Sequence, residues 1–271
     1  MHNLEIYCVT DKNLSYLKRL PYNLAGVGKS NFPKEYYLAN TYENIHHKEK
    51  YYSELTFHYW FWKNKLKDLK KNTWLGFCQK RRFWIKKNSI NKNINSYNLI
   101  DFILLETQKE WSEYNSVICE PINVNDVNKV KLLKRGFKSI IKDPRIFFSK
   151  KRQTIKLHFD MHHGYGNLDK AINVMDSEDK DEFRYFVNNA TSFNPHIMFI
   201  AKVEIANNWF NKLFPWLLRT EKIFGFDKLH GYDTRRLYAY LAERYLSFWF
   251  KKYSNYLEWP YYTLVDYNDS K

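Results

Sequence analysis

Glycine and proline are scarce, 8 and 7 residues of 271, which argues against a loop-rich all-β architecture with many tight turns. Cysteine is scarcer still. Cys8, Cys78 and Cys119 are odd in number, far apart and in no metal-ligand spacing. Each lies in or beside an apolar run of buried-strand type, the setting of an inert core thiol. Charges interrupt every apolar stretch before it reaches the ~20 residues that span a bilayer. The opening Met1 to Tyr7 has neither the basic stretch nor the apolar run of a signal peptide. A soluble, reduced, cytoplasmic protein is the expectation. A Walker loop, a GxGxxG and a GxSxG are absent too, and with them the commonest nucleotide and hydrolase signatures. Acidic residues are in deficit: Asp plus Glu number 29 against 44 Lys plus Arg, a formal charge of +15. Nucleic acid, nucleotide phosphates or the anionic face of a membrane would suit that excess. Frequent Asn, Lys, Ile and Tyr, as an AT-rich genome produces, weaken charge as a clue.

Aromatic residues are abundant, at 19% of the chain, in an otherwise ordinary globular balance. Apolar runs predict strands at Leu4 to Thr10, Thr73 to Cys78, Ser116 to Cys119 and His196 to Ala201. Helical periodicity appears over Tyr51 to Leu66, Asn98 to Trp111, and Asn125 to Arg135, where Gly136 is the expected stop. Short helical pieces follow between Thr154 and Asn189, then two long helices, about Lys202 to Phe224 and Thr234 to Tyr253. The stretch that carries Pro21, Gly26, Gly28 and Pro33 reads as loop-like, and the Asn-rich residues 88–98 as an exposed loop. Strands alternating with helices, then mostly helices, predict one domain over residues 1–271. Its α/β part spans about 1–150 and its helix-rich part about 151–271.

Ligands of such sheets sit beyond the carboxyl ends of strands, which nominates Thr10, Asp11, Lys12, the Gln79 to Arg82 segment and Glu120. Arg81 and Arg82 follow a buried strand directly, where guanidinium groups grip phosphate oxygens two-pronged. Between Lys63 and Lys92 the only acid is Asp68, so a merely solvated charge run is the competing account. In YYSELTFHYWFWKN (Tyr51 to Asn64), Glu54 and His58 share a helical face beside an aromatic one, either lining a pocket or hydrogen-bonded within a core. HFDMHHG (His158 to Gly164) sets His158 and His162 one turn apart, but no third zinc ligand is signalled. The acids of DSEDKDEF (Asp176 to Phe183) suit the positive start of a helix. No Asp-x-Asp pair follows a strand, which leaves dependence on a divalent ion such as Mn or Mg open.

In this order, YYSELTFHYWFWKN, the Arg81 to Phe83 segment, HHGYGNLDKA (His162 to Ala171), FNPHIMFI and R-x-x-A-Y-L-A-E-R (Arg236 to Arg244) resemble one family. It is a family of bacterial glycosyltransferases from capsule and O-antigen clusters, long described only as a domain of unknown function. The resemblance implies a GT-A-like α/β fold and sugar transfer from a nucleotide-sugar donor, expected to be UDP-linked. Members with assigned activity are galactofuranosyltransferases of capsular polysaccharide or lipopolysaccharide assembly. Glu54, Trp60, Trp62, Arg81, Arg82, His162, His163, Asp169, Arg236 and Glu243 fall on its motif positions. One departure is Gln79-Lys80, where the family has His-Tyr.

The resemblance and the rim rule together give the expected donor contacts: Thr10, Asp11, Lys12, Glu54, His58, Trp62, Arg81, Arg82, His162, Arg236 and Glu243. Asp233, Asp169 and His163 are the candidates, in no order, for the base that deprotonates an acceptor hydroxyl. Expected partners are the donor, a lipid-linked or polysaccharide acceptor, and the cytoplasmic face of the inner membrane as a peripheral support. The alternatives are a basic, aromatic nucleic-acid-binding module, which the lack of any recognisable nucleic-acid motif argues against, and a non-catalytic component of the polysaccharide machinery.

Overall fold

In the computed structural model, residues 3–265 are described. Its strands are β1 (Leu4–Thr10), β2 (Asn23–Gly26), β3 (Tyr37–Leu38), β4 (Trp74–Gln79), β5 (Arg82–Trp84), β6 (Ser116–Cys119), β7 (Ile122–Asn123), β8 (Ser192–Phe193), β9 (Phe199–Lys202), β10 (Tyr256–Trp259) and β11 (Tyr261–Thr263). Its helices are α1 (Glu49–Tyr52), α2 (Leu55–Asn64), α3 (Leu99–Phe102), α4 (Lys129–Lys142), α5 (Ile155–His163), α6 (Asn167–Asn173), α7 (Ser177–Asn189), α8 (Val203–Phe224), α9 (Gly231–Arg235) and α10 (Leu237–Tyr253). Two compact units share them. The first takes the chain up to Glu120, His196–Phe210 and the residues from Phe250 on; the second takes Pro121–Pro195 and Asn211–Trp249. The first break between the units falls after Glu120, and each unit is built from separated segments.

The first unit is a nine-stranded sheet in the order β10-β6-β9-β4-β1-β2-β3, with β5 joined to β4 and β11. Strands β4, β1, β2 and β3 are parallel, β10 is parallel to β6, and β9 runs against both β4 and β6. Alternation along β1 sends Ile6 and Cys8 to one face and Tyr7 to the other. The first face packs on Trp74, Trp84, Trp111 and Trp259. The second is covered by α2, whose Phe61 meets Tyr7 at 4.6 Å and Phe77 at 5.4 Å between ring centroids. All three cysteines are free and buried, and Cys8 lies opposite Cys78 in register.

Several elements differ from their sequence-based expectation for local reasons. The helix expected over 51–66 is broken at Ser53, which takes a φ of 52° between α1 and α2. That over 98–111 is one turn, α3, after which Ile103 runs extended and bridges Ile85. Gly136 does not stop its helix: it lies mid-α4, where a Cβ would stand 3.0 Å from Leu132 Cδ1 and 3.5 Å from Met161. The last long helix divides at Arg236 into α9 and α10. Strands β2, β3, β10 and β11 lie in segments not expected to pair.

The second unit is helical, α4 to α7 with most of α8, α9 and α10, and one two-stranded ribbon, β7 with β8. The acids of DSEDKDEF do open a helix, α7, with Glu178 and Asp179 in its first turn. Asp179 is nevertheless buried and accepts the Tyr245 hydroxyl at 2.6 Å.

Candidate active site

The carboxyl ends of β1 and β4 lie side by side because Val9 and Gln79 are register partners. Lys80 N–H donates to the Val9 carbonyl at 3.0 Å, which carries the pairing one residue past the strand. Thr10 is buried, and its hydroxyl both donates to the Lys12 carbonyl (2.6 Å) and accepts the Lys12 N–H (3.0 Å). That turn holds Asp11 and Lys12 at the rim. Across it, Ser30 donates to the Asp11 carbonyl at 2.6 Å. Gly28, with a φ of 76°, brings the chain after β2 close to Glu49 and Asp11.

Lys80 and Arg81 form the two-residue turn between β4 and β5, bracketed by the Gln79–Arg82 pair. Lys80 is ion-paired with Asp11. Arg81 is anchored by its backbone, whose carbonyl accepts the Leu264 N–H at 2.8 Å, while its Nε reaches the Leu264 carbonyl at 3.3 Å. Arg82 Nη1 donates to Gln79 Oε1 at 2.7 Å, and the Gln79 amide donates in turn to Glu54. Arg82 Nε is buried with no acceptor. An N–H left so is a polar group that the protein alone does not satisfy. Thr10, Asp11, Lys12, Glu54, Arg81 and Arg82 are thus brought to one rim, with Gln79 and Lys80 of the nominated Gln79 to Arg82 segment beside them.

Two expected donor contacts of the first unit, His58 and Trp62, are not brought to it. His58 follows Glu54 by one turn of α2, which puts Glu54 at the rim and His58 beneath the sheet's aromatic face. Its ring lies 4.2 Å from Phe77 and 6.1 Å from both Phe199 and Phe210. Full burial pushes its pKa down to about 3, so it is a neutral core residue rather than a pocket wall. Trp62 sits two turns beyond Glu54 on α2, half-buried under Lys63, whose Nζ is 3.9 Å from the ring. Trp60 is buried and donates its Nε1–H to Thr41.

The remaining candidates belong to the second unit. His163 donates Nδ1–H to the Asp233 carbonyl (2.8 Å), so its Nε2 lone pair faces Arg244 Nη2 at 3.5 Å. Its ring stacks on Tyr240 at 3.7 Å. Burial first, then Arg244, hold its pKa near 3. With both nitrogens engaged, His163 is badly placed to take a proton. His162 donates Nδ1–H to the His158 carbonyl and stacks on the His158 ring at 4.5 Å. Arg244, the last residue of the Arg236 to Arg244 motif though not among the expected contacts, is the hub: it pairs with Glu243, approaches His158 Nδ1 at 3.2 Å and lies over Phe193 at 4.2 Å. Arg236 is exposed at the α9–α10 junction, and Glu243 is ion-paired with Arg244. Asp169 meets Lys156 at 2.9 Å and Arg184 at 3.7 Å. Asp233 meets Arg135 at 2.8 Å and is half-exposed.

Among the described residues no group of three or more His, Cys, Asp and Glu is disposed to hold a metal ion. At the rim, Asp11 is ion-paired with Lys80 and Glu54 accepts the Gln79 amide. A cleft of about 560 Å³ opens at the other end of β4, between Trp74, Trp111 and Lys202. Glu106 and Glu110 line it and suit it poorly to a diphosphate.

A mostly parallel sheet with a cationic rim, and a helix-rich remainder of the chain, define a GT-A-like α/β fold. The chain aligns with the apo structure of the bifunctional glycosyltransferase WbbM at a TM-score of 0.69 and 16% identity, over 97% of this chain and 46% of that one. It therefore spans just under half of that protein, and at this identity the likeness concerns the fold. The chain belongs to the family described as Domain of unknown function (DUF4422), whose pattern matches residues 5–255. No curated protein matches it.

Proposed function

We propose that the chain is a glycosyltransferase whose nucleotide-sugar donor lies on the rim formed by Thr10–Lys12 and Gln79–Arg82. The observation that carries this is the β4–β5 turn. It sets Lys80, Arg81 and Arg82 beside the end of β1 in a GT-A-like sheet, with the Arg82 Nε unsatisfied. Breaking the bond between sugar and diphosphate leaves negative charge on the departing phosphate. Cations fixed beforehand stabilise that charge without reorganising when it forms. Gln79 fixes Arg82 and Leu264 fixes Arg81, so both guanidinium groups are held in place before a ligand arrives. The neighbour WbbM, a bifunctional glycosyltransferase, supports sugar transfer; UDP as the nucleotide, galactofuranose as the sugar and a surface polysaccharide as the acceptor are what the family resemblance implies.

Calorimetric titration with UDP and UDP-sugars tests the donor site. Each charged hydrogen bond to phosphate contributes roughly 1.5–3 kcal/mol. Arg82→Ala should therefore weaken binding at least tenfold with little change in melting temperature. Arg82→Lys should recover only part, since an ammonium cannot make the two-pronged contact. Equal binding by parent and both arginine variants would sink this placement. DNA binding that weakens steeply with salt, with no UDP effect on melting, would favour a nucleic-acid module instead.

A further inference from the structure

Helix α4 carries two apolar faces, and only one of them is used by the fold. Leu132 and Gly136 are buried, and Leu132 packs with Leu157 and Met161 of α5. Val130, Leu133, Phe137 and Ile141 recur at helical spacing along a second stripe and stay 59%, 48%, 59% and 65% exposed. A soluble helix ordinarily turns its polar side outward; this one presents a continuous row of large aliphatic and aromatic groups to water. Lys131, Lys134, Lys138 and Lys142 flank the stripe, and the 14-residue helix contains no acid. Among the described residues none of these four lysines is ion-paired, whereas Arg135 is held by Asp233. Just beyond α4, Phe148 is 85% exposed and is followed by Lys150, Lys151 and Arg152.

We propose that α4 is a membrane-docking helix that lies in the headgroup region of an anionic bilayer. Its stripe enters the acyl boundary and its lysines meet lipid phosphates. Charge selects this occupant over the others. A second copy of the chain on the same stripe would set lysines against lysines. A nucleic-acid backbone would satisfy the lysines but leave Val130, Leu133, Phe137 and Ile141 in water. An anionic lipid surface takes both, and a basic amphipathic helix of about 21 Å is the element that uses it. The opposite face holds α4 to α5, so docking asks for no rearrangement of the unit. This inference is independent of the donor site, because vesicle binding and nucleotide binding are separate measurements.

The test is co-sedimentation of the full chain with vesicles of phosphatidylglycerol and phosphatidylcholine against vesicles of phosphatidylcholine alone. The parent should bind the anionic vesicles and lose them as salt rises. Phe137→Ser with Ile141→Ser should weaken binding tenfold or more, and so should the combined Lys131→Gln, Lys134→Gln, Lys138→Gln chain. Melting temperatures should stay near the parent's, because these side chains are exposed. Depth is read separately. The native cysteines are buried, so Phe137→Cys takes an environment-sensitive fluorophore selectively, and its emission should shift to the blue on anionic vesicles. Unchanged binding by the serine variant, no shift of the label, or self-association of the parent that the serine variant abolishes would each overturn the proposal.

Discussion

At the scale of single residues, the second unit and the core under the sheet hold imidazoles as neutral groups. Burial alone takes His58 to a pKa of about 3; burial with Arg244 takes His163 to about 3 and His158 to about 2. Unfolded, each would accept a proton near pH 6.5. Between pH 6.5 and about 3 the unfolded chain thus binds one more proton per histidine than the folded one. Stability is full above pH 6.5 and falls as pH drops through that window, by up to about 1.4 kcal/mol per pH unit for each histidine. His58→Phe keeps a ring in the aromatic cage and gives up a nitrogen, Nδ1, that has no partner. Urea midpoints between pH 6.5 and 4.5 should show its slope shallower by about 1.4 kcal/mol per unit. An unchanged slope would mean that His58 already protonates in the folded chain. From the sequence, His58 could be either a pocket residue or a core one. Spacing puts Glu54 and His58 on one helix face, but depth along that face is set by where α2 starts on the sheet.

Elements were legible where one local signal dominated. Leu4 to Thr10 and Trp74 to Gln79 are apolar on both faces, as central parallel strands are, and their polar exits marked the rim. Leu99 to Trp111 misled because Ile100, Ile103, Leu104 and Trp111 fit helical spacing while the chain after α3 is extended along Trp84 and Ile85. The glycine of α4 misled for another reason. A glycine near the end of a periodic stretch reads as a stop, yet Gly136 is there because α4 passes close to α5. That close approach fixes a prediction. Gly136→Val should destabilise the protein by about 1–3 kcal/mol, since its branched side chain must push Leu132 and Met161 aside. Gly136→Ala should cost less, because the gain in helix propensity of about 1 kcal/mol offsets the tight contact. Denaturant titration separates the two variants. A valine variant as stable as the parent would show that the α4–α5 spacing is loose.

At the scale of the whole chain, the α/β class was legible in the order of strands and helices, and its GT-A-like form was implied by the family resemblance. The interleaving of the two units was not legible, because the first unit's sheet is assembled from segments far apart in the chain, and pairing of that kind leaves no local periodicity. The C-terminal strands show this best. YLEW and YYT carry no alternation, yet β10 pairs with β6 and β11 with β5. Trp259 anchors the return. It is fully buried, donates Nε1–H to the Ile85 carbonyl at 2.8 Å and meets Trp111 edge-on at 5.5 Å. Just past β11, Leu264 pairs with Arg81, so the same segment steadies the turn assigned to the donor. Trp259→Ala leaves a large cavity and an unpaired carbonyl, at a cost of about 3–5 kcal/mol. For a chain of this size that is a fall in melting temperature of roughly 6–20 °C. Ending the chain after Ser254 goes further: it bares the β6 edge and removes the partner of Arg81. That truncated chain should lose both its cooperative unfolding transition and its nucleotide binding, while Trp259→Ala, still folded at low temperature, should keep the binding. A truncated chain that melts and binds UDP like the parent would show that the first unit closes without its last strands, and that Leu264 does nothing for the rim.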